Sequence, residues 1–325
     1  MPKVYVCRNW FTDILDRITP LHEMKVWEGE DSSPREVLLE EIRDIEGVIS
    51  VASPIDAEII NAAPKLKIIS SCSVGYDHID VAEATRKGIP VGNTPDVLTE
   101  TTADLTFSLL LASARRIVDG DIFTRQGKWR MHAHLDLLGV DVHHATLGIV
   151  GLGKIGTHVA KRAKAFNMRV LYYDAIRKID IEGVLGVEYI SDLHSLLSES
   201  DFISLNMNLT DQTRHMIGAH EFSVMKPTAI LINASRGGVI DQKELYEALK
   251  SRQILRAALD VTEVEPIPPD DPLLSLDNLI ITPHIGSCTI ATRREMMGMA
   301  VDQLLAGLRG ERIPHCVNPI VYDNL

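Results

Sequence analysis

Three segments of the chain carry a side chain suited to chemistry, each after a short apolar run that predicts a β-strand. Arg236 follows one such run, Glu265 lies in the acidic loop after the next, and His284 follows the third. A guanidinium can bind a carboxylate through two hydrogen bonds. An imidazole can transfer a proton near neutral pH, and an adjacent carboxylate favours its protonated form. Because the carboxyl ends of parallel strands meet at one edge of a sheet, we expect the three side chains to lie close together.

A glycine-rich turn lies upstream, between an apolar run that ends at Val150 and a helical pattern. Its glycines, Gly151, Gly153 and Gly156, have the spacing Gly-x-Gly-x-x-Gly, and a second apolar run ends at Asp174, 18 residues after Gly156. The first glycine allows a tight turn, the second lets the backbone approach a pyrophosphate, and the third lets helix and strand pack closely. Asp174 is placed to accept hydrogen bonds from a ribose 2′-OH. The unit therefore predicts a dinucleotide-binding βαβ fold.

Together the two sets of residues predict an enzyme. A nicotinamide cofactor supplies a hydride, and an arginine, a carboxylate and a histidine are the groups needed to reduce a 2-keto acid with it. Taken singly, Arg236 could be a surface arginine, Glu265 a solvated charge and His284 a structural histidine. Their joint placement after adjacent strands favours the catalytic interpretation.

Composition limits the partners and the compartment. The 325 residues carry a net charge of −12, which argues against nucleic acid and anionic membranes as partners. No apolar run approaches the roughly 18 residues of a membrane-spanning helix. The four cysteines are scattered, without a metal-binding spacing. We therefore expect a soluble, cytoplasmic protein that binds neither a metal nor a membrane.

The apolar runs predict an α/β fold. Five short runs alternate with helical patterns over residues 3–92 and six more follow in the second half, which indicates parallel sheets with helices on both faces. One long helix is predicted for residues 98–118, and residues 119–144 are polar and irregular. The last helical pattern covers residues 289–308.

At these residues the chain resembles the D-isomer-specific 2-hydroxyacid dehydrogenase family, over essentially its whole length. The motifs that carry the resemblance are residues 75–80, 151–156, 233–241, 263–266 and 283–287. Their order and spacing are far more specific than any single motif. Within the family the chain resembles glyoxylate and hydroxypyruvate reductases, with which it shares residues 138–142 and 305–311.

The resemblance implies two doubly wound parallel-sheet domains. Residues 1–98 and 289–325 would form a discontinuous, flavodoxin-like substrate-binding domain, and residues 99–288 an inserted Rossmann domain that binds the dinucleotide. It also implies a homodimer through the nucleotide-binding domain and a small anionic 2-keto or 2-hydroxy acid as substrate. The activity would be NAD(P)H-dependent reduction of glyoxylate or hydroxypyruvate to the D-2-hydroxy acid.

The family motifs also imply roles for individual residues. His284 would be the acid and base of the reaction, paired with Glu265. Arg236 would hold the substrate carboxylate together with the backbone N–H groups of Val74 and Gly75, and His284 would complete the substrate site. The cofactor would be contacted by the three glycines of the turn and by Thr102, Lys154, Ile155, Asp174, Ala234, Ser235, Arg236, Asp260, His284 and Gly286.

Three questions stay open at the level of the sequence. Asp174 would repel a 2′-phosphate and favours NAD, whereas Arg177 and Lys178 resemble cations of NADP-preferring relatives. The substrate could instead be 2-ketogluconate, 3-phosphohydroxypyruvate or pyruvate, or the protein could be a non-catalytic scaffold that senses NAD(H). His132 and His134 could reach into a partner's active site, although a plain loop is the simpler interpretation.

Overall fold

The computed structural model describes residues 1–132 and 135–323. Its Cα positions divide the chain into two compact units, the first formed by Met1–Leu98 and Ser287–Leu325, the second by Thr99–Gly286. The chain therefore leaves the first unit after Leu98 and returns to it at Ser287, two residues before the return that the family motifs suggest. Each unit is built around its own parallel sheet.

Strands and helices alternate along the chain. The strands are β1 (Lys3–Val6), β2 (Glu23–Val26), β3 (Gly47–Ser50), β4 (Ile68–Ser71), β5 (Val91–Gly92), β6 (Thr146–Val150), β7 (Arg169–Tyr173), β8 (Glu188–Tyr189), β9 (Phe202–Leu205), β10 (Ile230–Asn233), β11 (Arg256–Leu259) and β12 (Leu279–Ile281). The α-helices are α1 (Thr12–Leu15), α2 (Arg35–Glu41), α3 (Ala57–Asn61), α4 (Val81–Arg86), α5 (Thr99–Ala114), α6 (Ile117–Arg125), α7 (Lys154–Ala165), α8 (Ile179–Leu185), α9 (Leu193–Glu199), α10 (Ala219–Val224), α11 (Gln242–Lys250) and α12 (Ile290–Leu308). Within the described residues, none of the helices combines the length and the apolar character needed to span a membrane.

The sheet of the first unit has the strand order β2-β1-β3-β4-β5, and its neighbouring strands are parallel. Successive side chains of a strand point to opposite faces. Val4 and Val6 of β1 therefore pack in the core cluster that contains Met297 of α12, whereas Tyr5 packs in the cluster on the other face. The C-terminal helix α12 thus contributes to the core of the unit that contains the first 98 residues.

The sheet of the second unit has the order β12-β11-β10-β9-β6-β7-β8, again parallel throughout. The chain moves outward from β6 to β8 and then returns to β9 on the other side of β6. Open α/β sheets bind ligands at the carboxyl ends of their strands, where the strand order reverses in this way. Ile230 and Ile232 of β10 face one core cluster and Leu231 faces the other, so both faces are covered. The predicted fold, with two doubly wound parallel sheets, is confirmed.

The region after α5 differs from the prediction. The long helix expected over residues 98–118 is wrong as a single element, because α5 ends at Ala114 and Arg116 takes a left-handed backbone conformation with a φ of 52° before α6 begins. The stretch expected to be irregular contains most of α6. No residue of α6 is buried, so its apolar side chains follow no core-facing period. Strand β8 has two residues and is too short to leave a periodic pattern.

The turn between β6 and α7 depends on its glycines. Gly151 has a φ of 92°, a backbone conformation that residues with a side chain rarely adopt. A Cβ atom on Gly156 would lie 2.2 Å from the carbonyl oxygen of Gly151. Only glycine therefore lets the first turn of α7 pack this closely on the end of β6.

Replacing Gly156 by alanine should lower the melting temperature, because the added methyl group meets backbone that has no rotamer to change. We expect a loss of about 1 to 3 kcal/mol in the free energy of unfolding. Gly183 provides a matched control, since it lies exposed within α8 and a Cβ atom there meets no atom within 4 Å. Alanine at Gly183 should raise the stability by roughly 0.5 to 1 kcal/mol. Thermal denaturation measures both effects, and equal melting temperatures would contradict the packing argument.

Candidate active site

A buried carboxylate holds the loop that follows β12. Asp260, at the end of β11, is 1% exposed, and its Oδ1 accepts hydrogen bonds from the Thr282 hydroxyl at 2.6 Å and the Ile285 N–H at 2.8 Å. Its Oδ2 accepts from the Gly286 N–H at 2.7 Å. Burial raises the pKa of Asp260, whereas these donors stabilise its charged form. One carboxylate thus fixes three donors of a single loop.

That loop carries His284, whose backbone has a φ of 52°. Its N–H donates to the carbonyl oxygen of Asp260 at 2.9 Å, and its Nδ1 lies 2.6 Å from Oε2 of Glu265. Since a carboxylate can only accept, Nδ1 carries the proton and Nε2 is available to a second partner. The other oxygen of Glu265 accepts from the Thr262 N–H at 3.1 Å, which orients the carboxylate. The side chain of His284 is half exposed, at 50%.

Arg236 lies in the loop after β10, the strand paired with β11. The Asn233 side chain shapes this loop: its Oδ1 accepts from the N–H and the hydroxyl of Ser235, and its Nδ2 donates to the carbonyl oxygen of Arg236 at 2.9 Å. The guanidinium is partly buried, and its Nη1 donates to the Ser235 carbonyl oxygen at 2.9 Å. The guanidinium, the carboxylate and the imidazole therefore follow the carboxyl ends of three adjacent strands, β10, β11 and β12.

The glycine turn and α7 fit the pyrophosphate of a dinucleotide. Gly153 is the N-cap of α7, and a Cβ atom on it would meet no atom within 4 Å, so the backbone is open to a ligand at this point. Lys154 and Ile155 begin the helix, whose first N–H groups have no partner within the helix. Such a helix N-terminus favours a phosphate group. The residues present thus fit a nicotinamide dinucleotide.

Asp174 follows β7 and connects it to the glycine turn. Its Oδ2 accepts from the Leu152 N–H at 2.8 Å, and its Oδ1 accepts from the Ile176 N–H at 3.0 Å. A carboxylate has about four acceptor positions, so these two bonds still allow it to accept from a ribose 2′-OH. Asp174 therefore supports the turn in addition to the role expected from its position in the motif.

The two cations that follow Asp174 differ in their partners. Arg177 donates hydrogen bonds to both oxygens of Glu182 at 2.8 Å, and Tyr172 donates its hydroxyl to Oε1 of Glu182 at 2.6 Å. These bonds lower the pKa of Glu182 to about 2. The Nζ atom of Lys178 lies 3.9 Å from Oδ1 of Asp174. The charge of Arg177 is therefore already balanced by a carboxylate.

The residues expected at the nicotinamide lie together in the second unit. A Cβ atom on Gly286 would be 3.2 Å from Oδ2 of Asp260 and 3.4 Å from Cγ2 of Thr102, a residue of α5. Ala234 and Ser235 follow β10 at the same edge of the sheet. The structure thus groups these positions at the carboxyl ends of β10 to β12.

Val74 and Gly75 lie in the first unit, in the loop after β4. The Val74 carbonyl oxygen accepts from the Asn93 side chain at 2.8 Å, and the Gly75 carbonyl oxygen accepts from the Ser73 hydroxyl at 2.6 Å. Neither N–H group donates to an acceptor among the described residues. The carbonyl groups of this loop are therefore held by the protein, while its N–H groups are available to an anion.

Sequence reasoning missed two features of the site. It expected Asp260 to line the nicotinamide and did not foresee that its carboxylate holds the loop of His284. It also passed over His215, whose Nε2 lies 2.6 Å from Oε1 of Glu263, the acidic residue two positions before Glu265. The only signal for His215 is its place after β9, another strand that ends at this edge.

Several other residues considered in the sequence take no part in the site as described. His132 is exposed, and His134 lies outside the described residues. Cys72 is buried, which raises the pKa of its thiol to about 12 and agrees with a packing role. Within residues 1–132 and 135–323, no group of three or more histidine, cysteine, aspartate or glutamate side chains is arranged to hold a metal ion.

Comparison with known proteins agrees with this geometry. Residues 107–286 match the family described as D-isomer specific 2-hydroxyacid dehydrogenase, NAD binding domain. The chain is 51% identical to the glyoxylate reductase of Korarchaeum cryptofilum, over 98% of this chain and 96% of that protein. The crystal structure of the TT0316 protein from Thermus thermophilus superimposes with a TM-score of 0.91 at 43% identity, covering 97% of this chain and 99% of that one. An NADPH-dependent glyoxylate/hydroxypyruvate reductase from Sinorhizobium meliloti, solved with NADP and malonate, gives a TM-score of 0.87 at 32% identity, covering 98% of each chain.

A parallel sheet with a dinucleotide-binding turn and an acid–base pair at its carboxyl edge is the arrangement of an NAD(P)-dependent oxidoreductase. The family match covers more than half of the chain, and the relatives align with nearly all of it. The chain therefore belongs to the D-isomer specific 2-hydroxyacid dehydrogenase family. The family, the enzyme class and the NAD(P) cofactor predicted from the sequence are confirmed.

Proposed function

We propose that the protein reduces glyoxylate or hydroxypyruvate to the D-2-hydroxy acid with NAD(P)H. The observation that carries this proposal is the 2.6 Å distance between Nδ1 of His284 and Oε2 of Glu265, because it leaves Nε2 to exchange a proton with a substrate. Relatives named glyoxylate reductase align with nearly the whole chain, which supports this choice of substrate.

In this mechanism Nε2 of His284 donates a proton to the substrate carbonyl oxygen during reduction and accepts one during oxidation. Glu265 orients the imidazole and stabilises its protonated form. Arg236 binds the substrate carboxylate through two hydrogen bonds. The cofactor, when bound, supplies or accepts the hydride.

The remaining predicted residues have proposed roles in binding. The unit Thr99–Gly286 would bind the dinucleotide, and the unit that contains Val74 and Gly75 would bind substrate, with these two N–H groups donating to its carboxylate. The pyrophosphate would bind to Gly151, Gly153, Lys154, Ile155 and Gly156, the adenosine ribose to Asp174, and the nicotinamide to Thr102, Ala234, Ser235, Arg236, Asp260, His284 and Gly286.

Replacing His284 by asparagine, which also tolerates the left-handed backbone found there, should lower kcat for both acids by about 10²- to 10⁴-fold, because the proton donor is lost. NADH should still bind, because the proposed contacts of the glycine turn and Asp174 with the dinucleotide remain. Arg236→Lys keeps the charge but loses the bidentate geometry, and should raise KM by roughly two orders of magnitude. Rates of NADH and NADPH oxidation with a panel of 2-keto acids measure these effects.

The same panel includes 2-ketogluconate, 3-phosphohydroxypyruvate and pyruvate. If kcat/KM were higher for one of these acids than for glyoxylate and hydroxypyruvate, that acid would be the preferred substrate and the proposed mechanism would still apply. Tight NADH binding without turnover of any keto acid would contradict the proposal and point to an NAD(H)-sensing scaffold. A normal rate in the His284→Asn variant would show that another group moves the proton.

We further propose NAD as the preferred cofactor. The carboxylate of Asp174 repels a 2′-phosphate, and Arg177, which could offset that repulsion, is bound to Glu182. Asp174→Asn should shift the ratio of kcat/KM for NADPH over NADH upward by about 10- to 100-fold, since it removes one unit of negative charge near the site of the added phosphate. Asp180→Asn is the control, because it removes an exposed carboxylate from α8 and should leave the ratio unchanged. A wild-type preference for NADPH would contradict the assignment.

We propose a homodimer formed through the second unit. Residues 117–132 and 135–138 expose large apolar side chains, including Ile117 (56%), Trp129 (61%) and Leu138 (68%). Large exposed apolar side chains concentrated in one segment favour an interface between proteins.

Introducing glutamate at Trp129 and Leu138 together should convert the dimer to a monomer, because burying two carboxylates in an apolar interface is costly. Val184→Glu is the matched control: Val184 is 82% exposed on α8, away from this segment in the sequence, and its replacement should leave the dimer intact. Sedimentation equilibrium distinguishes the two outcomes. A wild-type protein that sediments as a monomer at micromolar concentration would refute the proposal.

The cytoplasm is the proposed location. The cysteines Cys7, Cys72, Cys288 and Cys316 are free thiols, and free cysteines suit a reducing compartment.

A further inference from the structure

A second histidine–glutamate pair lies beside the proposed acid–base pair. Nε2 of His215 is 2.6 Å from Oε1 of Glu263, and Glu263 precedes Glu265 by two residues. We propose that His215 and Glu263 are positioning residues: they hold the loop of Glu265 so that its carboxylate can accept the hydrogen bond from His284. This inference rests on the proposed function. We refer to the two side chains as the His215–Glu263 brace.

The brace joins two loops that carry different parts of the site. His215 belongs to the segment after β9, and its N–H donates to the carbonyl oxygen of Gly238 at 2.9 Å. Two residues later, the Ile217 N–H donates to the Val239 carbonyl oxygen at 3.1 Å. His215 is therefore anchored by its backbone to the turn that follows Arg236, while its side chain reaches the loop of Glu265.

The same two loops touch through their backbones. A Cβ atom on Gly237 would lie 1.9 Å from the carbonyl oxygen of Thr262 and 2.5 Å from the nitrogen of Glu263. The two backbones are so close that no side chain fits between them. A small rotation of either loop would therefore change the distance between the loop of Arg236 and the loop of Glu265. The brace lies at the end of this contact and opposes such a rotation.

The position of Glu263 affects that of Glu265, which follows it by two residues in the same loop. The Glu263 N–H donates to Oε1 of Gln242 at 3.0 Å, so both the backbone and the side chain of Glu263 are tethered. Thr262 closes the loop, with its hydroxyl donating to the Val264 carbonyl oxygen at 2.8 Å and its N–H donating to Oε1 of Glu265 at 3.1 Å. Without the brace, the side chain of Glu263 loses its hydrogen bond to His215, while the bond from its N–H to Gln242 remains.

If His215 and Glu263 formed only a surface ion pair, their replacement would have a different effect from the loss of a positioning pair. The side chains of His215 and Glu263 are 41% and 34% exposed, and Asp241 lies 3.9 Å from Nδ1 of His215. Pairs with this exposure add little to stability. A purely structural role would therefore leave kinetics untouched, whereas a positioning role lowers kcat without lowering the melting temperature.

The test compares His215→Asn, Glu263→Ala and the double variant with the wild-type enzyme. Asparagine is chosen because His215 has a φ of 52°, which asparagine tolerates. We expect each single variant to lower kcat on glyoxylate or hydroxypyruvate by about tenfold, with KM for NADH and the melting temperature unchanged. The double variant should be no worse than the singles, because both remove one interaction. Glu263→Gln keeps an acceptor for His215 and should restore most of the rate.

The chain offers a matched control in His194, whose Nε2 lies 3.0 Å from Oε1 of Glu221 and whose side chain is also 41% exposed. His194→Asn removes a pair of the same kind outside the loops of the site and should leave kcat unchanged. Equal effects of His194→Asn and His215→Asn, or a full rate in both brace variants, would overturn the inference while the proposed function stands. A wild-type protein that turns over no keto acid would overturn both.

Discussion

The proposed chemistry of the second unit depends on a buried carboxylate. Asp260 accepts hydrogen bonds from the Thr282 hydroxyl and from the N–H groups of Ile285 and Gly286. A charge buried to this degree is costly unless it is fully hydrogen-bonded, and here its three donors all come from the loop that presents His284. The cost of burial is therefore offset only when that loop has its observed conformation. The parallel sheet supplies the fixed platform, because Asp260 and Thr282 both follow strands paired in register.

Close backbone approach is the second constraint, and it occurs twice. At Gly156 the missing Cβ lets α7 begin next to the strand that feeds the glycine turn, which places the helix N-terminus at the dinucleotide site. At Gly237 the missing Cβ lets the loop of Arg236 contact the backbone of the loop of Glu265. In both places a functional group is located by backbone contact. Side chains such as Asp174 and His215 then hold the backbones in place.

Much of this arrangement could be predicted because it rests on local patterns. The alternation of apolar runs indicates parallel strands, and Gly151, Gly153 and Gly156 mark the dinucleotide turn by spacing alone. The break at Arg116 could not be predicted, because its left-handed backbone interrupts a continuous helical pattern without a glycine or proline. The hydrogen bond from the Gly286 N–H to the Asp260 carboxylate joins residues 26 positions apart. Hydrogen bonds over such separations have no periodic signature, so only a folded structure shows them.

Cofactor choice and turn geometry are linked through Asp174. One oxygen of this carboxylate accepts from Leu152 within the glycine turn, and the other accepts from Ile176. An amide at this position has one acceptor oxygen, and its NH₂ group would face an N–H donor. A change that removes repulsion toward a 2′-phosphate therefore also weakens the support of the turn that binds the pyrophosphate. Because Glu182 balances Arg177, efficient use of NADP would require a new arrangement of these charges as well as the loss of one carboxylate.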